Sequence, residues 1–302
     1  MNGAFGKVPS KADFARLGYS DGHTRQFESW LDEACLRLRE VGAELPEVPV
    51  HFLVRFAGEP TVLVGAMARS RDSVGRRFPL SFFRVLDWRA VEHRWSGLPF
   101  AMSPALEAGG ELLRDAAHLD PESVRRRVES LWSPSEHDLV RNDQLCGDVL
   151  VRTPWLEPIQ RTLGADRTLE RAAYAFRTLK SALANAQCAA ECPIEIDVDL
   201  FFWLELSRRL GARSSAMAAA FSVFWTEEPL PRVIVGVGAP SMSTLVAISE
   251  PNRDVQQIWP LTTKRPVALE QAHAVLGPVL EPIQSGSAAE LFALLGSWEE
   301  QR

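Results

Sequence analysis

The chain has 302 residues, 46% hydrophobic and 24% charged, with a formal net charge of -6. That is an ordinary globular composition with enough length to bury a core without disulfide or metal staples. The acidic balance excludes a protein built mainly around nucleic-acid backbones, which need clustered Lys and Arg.

Lys7, Lys11 and Asp13 interrupt the N-terminal stretch, so it does not read as a signal peptide. The most apolar run, Ala216 to Trp225, is about half the length of a membrane span. A cytoplasmic protein without membrane insertion is expected. The four cysteines, Cys35, Cys146, Cys188 and Cys192, lack zinc-ribbon or redox spacing and read as small hydrophobes in a reducing compartment.

Ala4 to Val8 reads as a short strand ended by Pro9. An amphipathic helix follows, with Phe27, Trp30, Leu31, Ala34, Leu38 and Val41 on one face and Gly42 at its C-terminal stop. Val50 to Ala57 and Thr61 to Ala68 are strand candidates joined by a tight Gly58-Glu59-Pro60 connection. The second is a continuous apolar run, as in a strand buried on both faces. Phe78 to Leu86 is a third. Ser103-Pro104 and Asp120-Pro121 each place a capping residue before a proline at the first helical position. Val124, Val128 and Leu131 give the second of these helices its apolar face.

Pro154 and Pro158 mark a soft boundary. Residues 1–155 and 156–302 are therefore expected as two α/β halves packed together. The second half opens with a helix whose apolar side carries Leu169, Ala173, Phe176, Leu179 and Leu183. Ile194 to Leu200 alternates apolar and acidic residues and predicts a half-buried strand. Phe201 to Leu210 reads as a helix stopped by Gly211. Ala218 to Trp225, Arg232 to Val237 and Leu245 to Ile248 read as strands. Ser287 and Glu290 form a capping box before a final helix with Ala288, Leu291, Phe292, Leu295 and Trp298 as its buried stripe. Strands alternating with helices predict a three-layer αβα sandwich around a mixed β-sheet.

No specific catalytic constellation emerges. Gly3-Ala4-Phe5-Gly6-Lys7 has the wrong glycine spacing for a phosphate loop, and Val8 stands where a Ser or Thr metal ligand belongs. Ala239-Pro240-Ser241 breaks a dinucleotide fingerprint after Gly236-Val237-Gly238. The six histidines show no metal-ligand spacing. No catalytic residue, metal or cofactor is expected. The alternative is a metal-dependent enzyme: on a strand, Glu195, Asp197 and Asp199 would share a face and hold a hard cation.

Arg69, Arg71, Arg76 and Arg77 cluster around Asp72 and Gly75. Such arginines either bind a carboxylate- or phosphate-bearing partner through their forks or pair with nearby acids. Both readings stand at this point.

Two motifs carry a resemblance. Phe5-Gly6-Lys7-Val8-Pro9 followed by Asp13-Phe14 resembles the N-terminal pattern of the TagF proteins, also called ImpM. Ser70, Asp72, Gly75-Arg76 and Phe78-Pro79-Leu80 are similar to the Ser-x-Asp-x-x-Gly-Arg-x-Phe-Pro-Leu segment of that family. Phe221 to Thr226 looks like a further family strand. Ala12 replaces the usual glycine before Asp13, and Arg69 stands where proline is common.

The resemblance implies an αβα sandwich and a non-enzymatic, post-translational regulator of bacterial type VI secretion, acting as a repressor. Its implied partners are a forkhead-associated scaffold protein and a component of the membrane-anchored complex. A structural secretion component is a further alternative. Some members carry a fused phosphatase domain; this chain is expected to be the stand-alone form. Lys7, Arg71, Arg76 and Arg77 are the candidate partner-contacting side chains. Gly6, Asp13, Asp72, Gly75, Phe78 and Pro79 are the residues expected to build the loop, with glycine supplying a positive φ and Phe78 an anchor.

Overall fold

The uncharged run Thr61–Ala68 forms a strand with helices over both its faces, and it is buried along nearly its whole length. A computed structural model describes residues 2–18, 22–211, 215–228, 230–251 and 253–300. The chain begins β1 (Asn2–Lys7), β2 (Phe14–Leu17), α1 (Gly22–Glu40), β3 (Val50–Arg55), β4 (Thr61–Ala68) and β5 (Leu80–Asp87). A helical stretch follows: α2 (Trp88–Val91), α3 (Leu98–Ala101), α4 (Ser103–Asp115), α5 (Pro121–Glu129), α6 (Glu136–Arg152), α7 (Leu156–Leu163) and α8 (Thr168–Leu183). The remainder is β6 (Ala189–Pro193), α9 (Asp197–Gly211), α10 (Ser215–Ala219), β7 (Phe221–Thr226), β8 (Arg232–Val237), α11 (Thr244–Ser249), β9 (Ile258–Pro260), α12 (Pro266–Leu280) and α13 (Ala288–Glu300).

The strands make one nine-stranded sheet in the order β2-β1-β5-β4-β3-β7-β8-β6-β9. Only β6 and β9 run parallel; the other neighbours are antiparallel. The sheet crosses residue 155 without a break, because β3 pairs with β7 and sets Phe52 opposite Phe224. One face is covered by α1 and α11, through Phe27, Trp30, Leu31, Leu245 and Ile248. The other carries the thicker helical layer, with Trp155, Phe176, Trp203 and Phe292 in its core. The result is the αβα sandwich around a mixed sheet that the alternating pattern predicts.

Local chemistry explains the clearest boundaries. Helix α1 ends in a Schellman turn: Ala43 N donates to Leu38 O at 3.0 Å, Gly42 N to Arg39 O at 3.1 Å, and Gly42 holds φ +71°. Asp120 accepts from Ser123 N and starts α5 with Pro121 at its first position. Ser287 N donates to Glu290 Oε2 at 2.6 Å, and Glu290 N donates to Ser287 Oγ at 3.3 Å, which completes the capping box of α13. Ala288, Leu291, Phe292 and Leu295 are buried. Trp298 of the expected stripe lies outside the described side chains.

Three expectations are corrected. Ser103 is the first residue of α4 rather than its cap, and its hydroxyl donates to Glu107. Leu245 to Ile248 is helical, as part of α11, despite its strand-like composition.

The third correction bears on function. Ile194 to Leu200 is not a strand: β6 ends at Pro193 and α9 begins at Asp197. Asp199 causes the turn. Its Oδ2 accepts from the backbone N–H groups of Glu195 at 3.0 Å and Ile196 at 3.1 Å, while Arg161 pairs with it at 3.0 Å. Asp199 is therefore buried, whereas Glu195 and Asp197 are exposed. The expected row of three carboxylates does not exist. Among the described residues no three His, Cys, Asp or Glu are placed to hold a metal ion.

Candidate functional site

The segment from Ser70 to Leu80 connects β4 to β5, two adjacent strands in the middle of the sheet. Asp72 is its hub. Its carboxylate accepts from Lys7 Nζ at 2.9 Å, Arg76 Nε at 2.7 Å, Arg76 N at 2.8 Å and Val74 N at 3.1 Å. The backbone closes on itself as well: Gly75 N donates to Asp72 O, Asp72 N to Arg76 O, and Phe78 N to Ser70 O. Gly75 supplies the left-handed conformation at φ +87° that this tight turn needs.

The loop is tied to the N-terminal strand pair. Ser70 Oγ donates to Lys7 O at 2.8 Å and Ser73 N to Lys11 O at 3.1 Å. The Arg76 guanidinium reaches the carbonyl of Ala12. Phe78 meets Phe14 edge-on at 4.9 Å and Phe5 at 5.5 Å, and Phe5 and Phe14 stack at 5.3 Å. Lys7 Nζ lies 4.1 Å over the Phe14 ring. Gly6, at φ +140°, lets β1 pass against Pro79; a Cβ there would sit 2.0 Å from the Pro79 carbonyl oxygen. Asp13 Oδ1 accepts from Phe14 N at 2.8 Å and starts β2. That backbone hydrogen bond lowers the Asp13 pKa.

The electrostatics follow from this geometry. Burial works against charge on Asp72. The hydrogen bonds from Lys7, from the Arg76 backbone and side chain, and from Val74 outweigh it and hold the carboxyl well below the usual carboxylate range. The loop is thus centred on a carboxylate whose charged form is held by the groups around it.

Of the candidate partner-contacting side chains, Lys7 is corrected. It is buried, 5% exposed, and spent on Asp72 and Phe14. Arg76 is exposed at its tip, but two of its nitrogens are committed to Asp72 and Ala12. Arg77 is exposed and pairs with Glu44. Arg69 pairs with Glu44 at 3.0 Å and also with Glu47. Arg71 is bridged to Arg77 through the backbone, and its side chain is exposed with no ion-pair partner among the described residues. Sequence reasoning missed Glu44 and Glu47, which follow α1, and Arg114, near the end of α4. Nothing in the spacing of these residues links them to the loop.

Two clefts flank it. One, of about 310 Å³, has Cys35, Leu38, Leu45 and Phe78 in its walls, with Arg39 and Arg77 also lining it. The other, of about 510 Å³, brings Arg69, Arg71, Arg77 and Arg114 together with Glu44 and Glu47. Burial pushes the Cys35 thiol up to about 12 and the Cys146 thiol up to about 11.

No helix among the described residues is long and apolar enough to cross a membrane. The crystal structure of PA0076 from Pseudomonas aeruginosa PAO1 resembles this fold with a TM-score of 0.52 at 14% identity, over 86% of this chain and 99% of that one. At that identity the likeness speaks for the fold alone. No curated protein matches the chain. The family model of the TagF N-terminal domain, described as type VI secretion system-associated, matches residues 3–131, a segment that contains β1, the Ser70 to Leu80 loop and the ion pair joining them. Residues 3–131 thus carry a TagF N-terminal domain, type VI secretion system-associated.

Proposed function

We propose that this protein is a non-enzymatic, post-translational regulator of type VI secretion, a repressor that works in the cytoplasm by binding another protein of the system. The partner is the forkhead-associated scaffold or a component of the membrane-anchored complex. The observation that supports this reading most is the division of labour in the loop. Asp72 is consumed by fixing the turn, while Arg71 stands exposed, and Arg77, exposed but paired with Glu44, stands beside it at a cleft that also holds Arg69 and Arg114. A rigid loop that presents guanidinium forks suits recognition of carboxylates on a partner surface, because little side-chain freedom is lost on docking.

The test is a pull-down of the scaffold and of the membrane-complex component with the wild-type chain and with Arg71→Glu/Arg77→Glu, beside a secretion assay in cells. The double variant is expected to melt like wild type, to lose about tenfold or more in capture, and to release secretion from repression. Normal capture by the double variant removes the loop as the interface. Recovery of the protein as a stoichiometric part of assembled secretion particles would favour a structural component and overturn the regulatory reading.

A further inference from the structure

A third cleft, of about 690 Å³, opens between the residues that precede β3, the α3–α4 region and the start of α9. It is separate from the motif loop, although Arg114 lines both this cleft and the arginine-lined one. Its lining carries Glu107, Glu111, Glu195, Asp197, Glu227 and Glu228, with Arg114 as the one Lys or Arg among its lining residues. Glu107 accepts a hydroxyl from Ser103 at 2.6 Å. The side chains of Glu111, Glu195, Asp197, Glu227 and Glu228 have no ion-pair partner among the described residues. Elsewhere on this surface exposed acids are commonly paired with arginines, as at Arg125 with Glu122 and Arg127 with Asp115. The carboxylates of the cleft repel one another, and a cation arriving there relieves that repulsion.

The cleft is also apolar. Phe100, Leu106, Ile196, Leu200 and Trp225 line it, and Ile196 is 49% exposed. His51 lines it too, stacked on Trp225 at 5.2 Å, with an Nδ1 that is shut from solvent and has no hydrogen-bond partner. Water serves the apolar floor of this groove poorly, and the carboxylates beside it are free to meet a cation.

The sign of the charge rules out a nucleic-acid strand or an anionic lipid surface as the occupant. A bare divalent cation does not suit the site either, since no three ligating side chains among the described residues stand close enough together. Cations carried on long side chains do suit it, because Lys and Arg reach separate carboxylates while their stems lie on apolar surface. We infer that this cleft receives a basic segment of another protein, with Lys or Arg side chains directed to Glu195, Asp197, Glu227 and Glu228 and an apolar side chain set against Ile196 and Trp225. This goes beyond the reading of the arginine loop and does not rest on it.

The probe is a short fluorescein-labelled peptide of alternating lysine and leucine, titrated with the full chain and followed by fluorescence anisotropy. The same peptide with glutamate for lysine is the control. Binding of the lysine peptide, weakened by added salt and reduced about tenfold or more in Glu195→Lys/Glu227→Lys, is the expected result. Both substituted residues are exposed, so the variant is expected to melt like wild type. Three outcomes overturn the inference. The first is unchanged binding by the variant or equal binding of the glutamate peptide. The second is displacement of the peptide by millimolar calcium, magnesium or manganese, which would mark a cation site. The third is concentration-dependent self-association that the variant abolishes, which would mean a second copy of this chain occupies the cleft.

Discussion

Lys7 and Asp72 stand 65 positions apart in sequence and 2.9 Å apart in space, and this contact fastens the loop between β4 and β5 to strand β1. Both side chains are buried, so neither is free for a partner. The ion pair joins the two sequence motifs, one on β1 and one in the loop. Its arginine neighbours, not the pair itself, face outward.

Removing Lys7 leaves a buried carboxylate with one of its cations gone. Lys7→Met is expected to lower unfolding free energy by about 3 kcal/mol, the lower end for a broken buried pair because Arg76 remains. Asp72→Ala is expected to be worse, since it also frees the N–H groups of Val74 and Arg76. Urea denaturation of the two variants checks the order. The depressed Asp72 pKa sets the pH window: its contribution is present above the unfolded value of about 4 and is lost as pH falls through the folded value. Lys7→Met is therefore expected to flatten acid destabilisation below that pH.

Two glycines of the motifs are expected to respond differently to alanine. At Gly6 a methyl group would meet Pro79 O at 2.0 Å and Leu80 Cα at 2.7 Å, so backbone must move. At Gly75 nothing lies within 4 Å, and only the φ of +87° resists. Gly75→Ala should lose about 1 kcal/mol and Gly6→Ala about 3 kcal/mol or more. Thermal melts of the two variants decide it; an equal loss would mean that β1 yields easily at Gly6.

His51 carries a second pH dependence. Burial lowers its pKa to about 4. The unfolded chain protonates near 6.5, so the stability of the neutral ring is intact above about that pH and is lost as pH falls toward 4. A His51→Phe variant, which keeps a ring against Trp225, is expected to lose this slope between the two values. Melting temperature followed across that range is the measurement.

Arg232 is 1% exposed and closes the end of α11. Its Nη2 donates to Ala247 O at 2.9 Å and Ile248 O at 2.5 Å, while Glu191 stands 4.0 Å from its Nε. Arg232→Met would leave those carbonyls unpaired, and a loss of about 3 kcal/mol is expected. Arg232→Lys is expected to rescue only part of it, since an ammonium lacks the planar fork. Amide exchange in residues 244–249 is expected to quicken in both variants.

Much of the fold is legible along the chain because its signals are local. The stripe of α1, the Gly42 stop, the unbroken β4 run and the Ser287–Glu290 box each need only a few neighbouring residues. Misreading occurs where a distant residue decides. Ile194 to Leu200 alternates like a strand, but Asp199 draws in two backbone N–H groups while Arg161 from α7 pairs with its carboxylate. Leu245 to Ile248 is apolar enough for a strand, yet Arg232 from β8 accommodates its helical carbonyls.

The same division holds for the segment from Ser70 to Leu80. The sequence by itself determined that Asp72, Gly75 and Phe78 build a turn, since acceptor, positive φ and aromatic anchor are properties of the residues themselves. It also pointed to the TagF N-terminal domain over residues 3–131, through motifs short enough to read in line. Only the tertiary structure decided which cations are spent. Lys7 is buried because β1 lies beside β5, Arg69 and Arg77 are held because Glu44 and Glu47 follow α1, and Arg71 is left exposed. The sharing of charge among residues so far apart depends on pairings across the sheet, and those are fixed by packing of the whole chain rather than by local spacing.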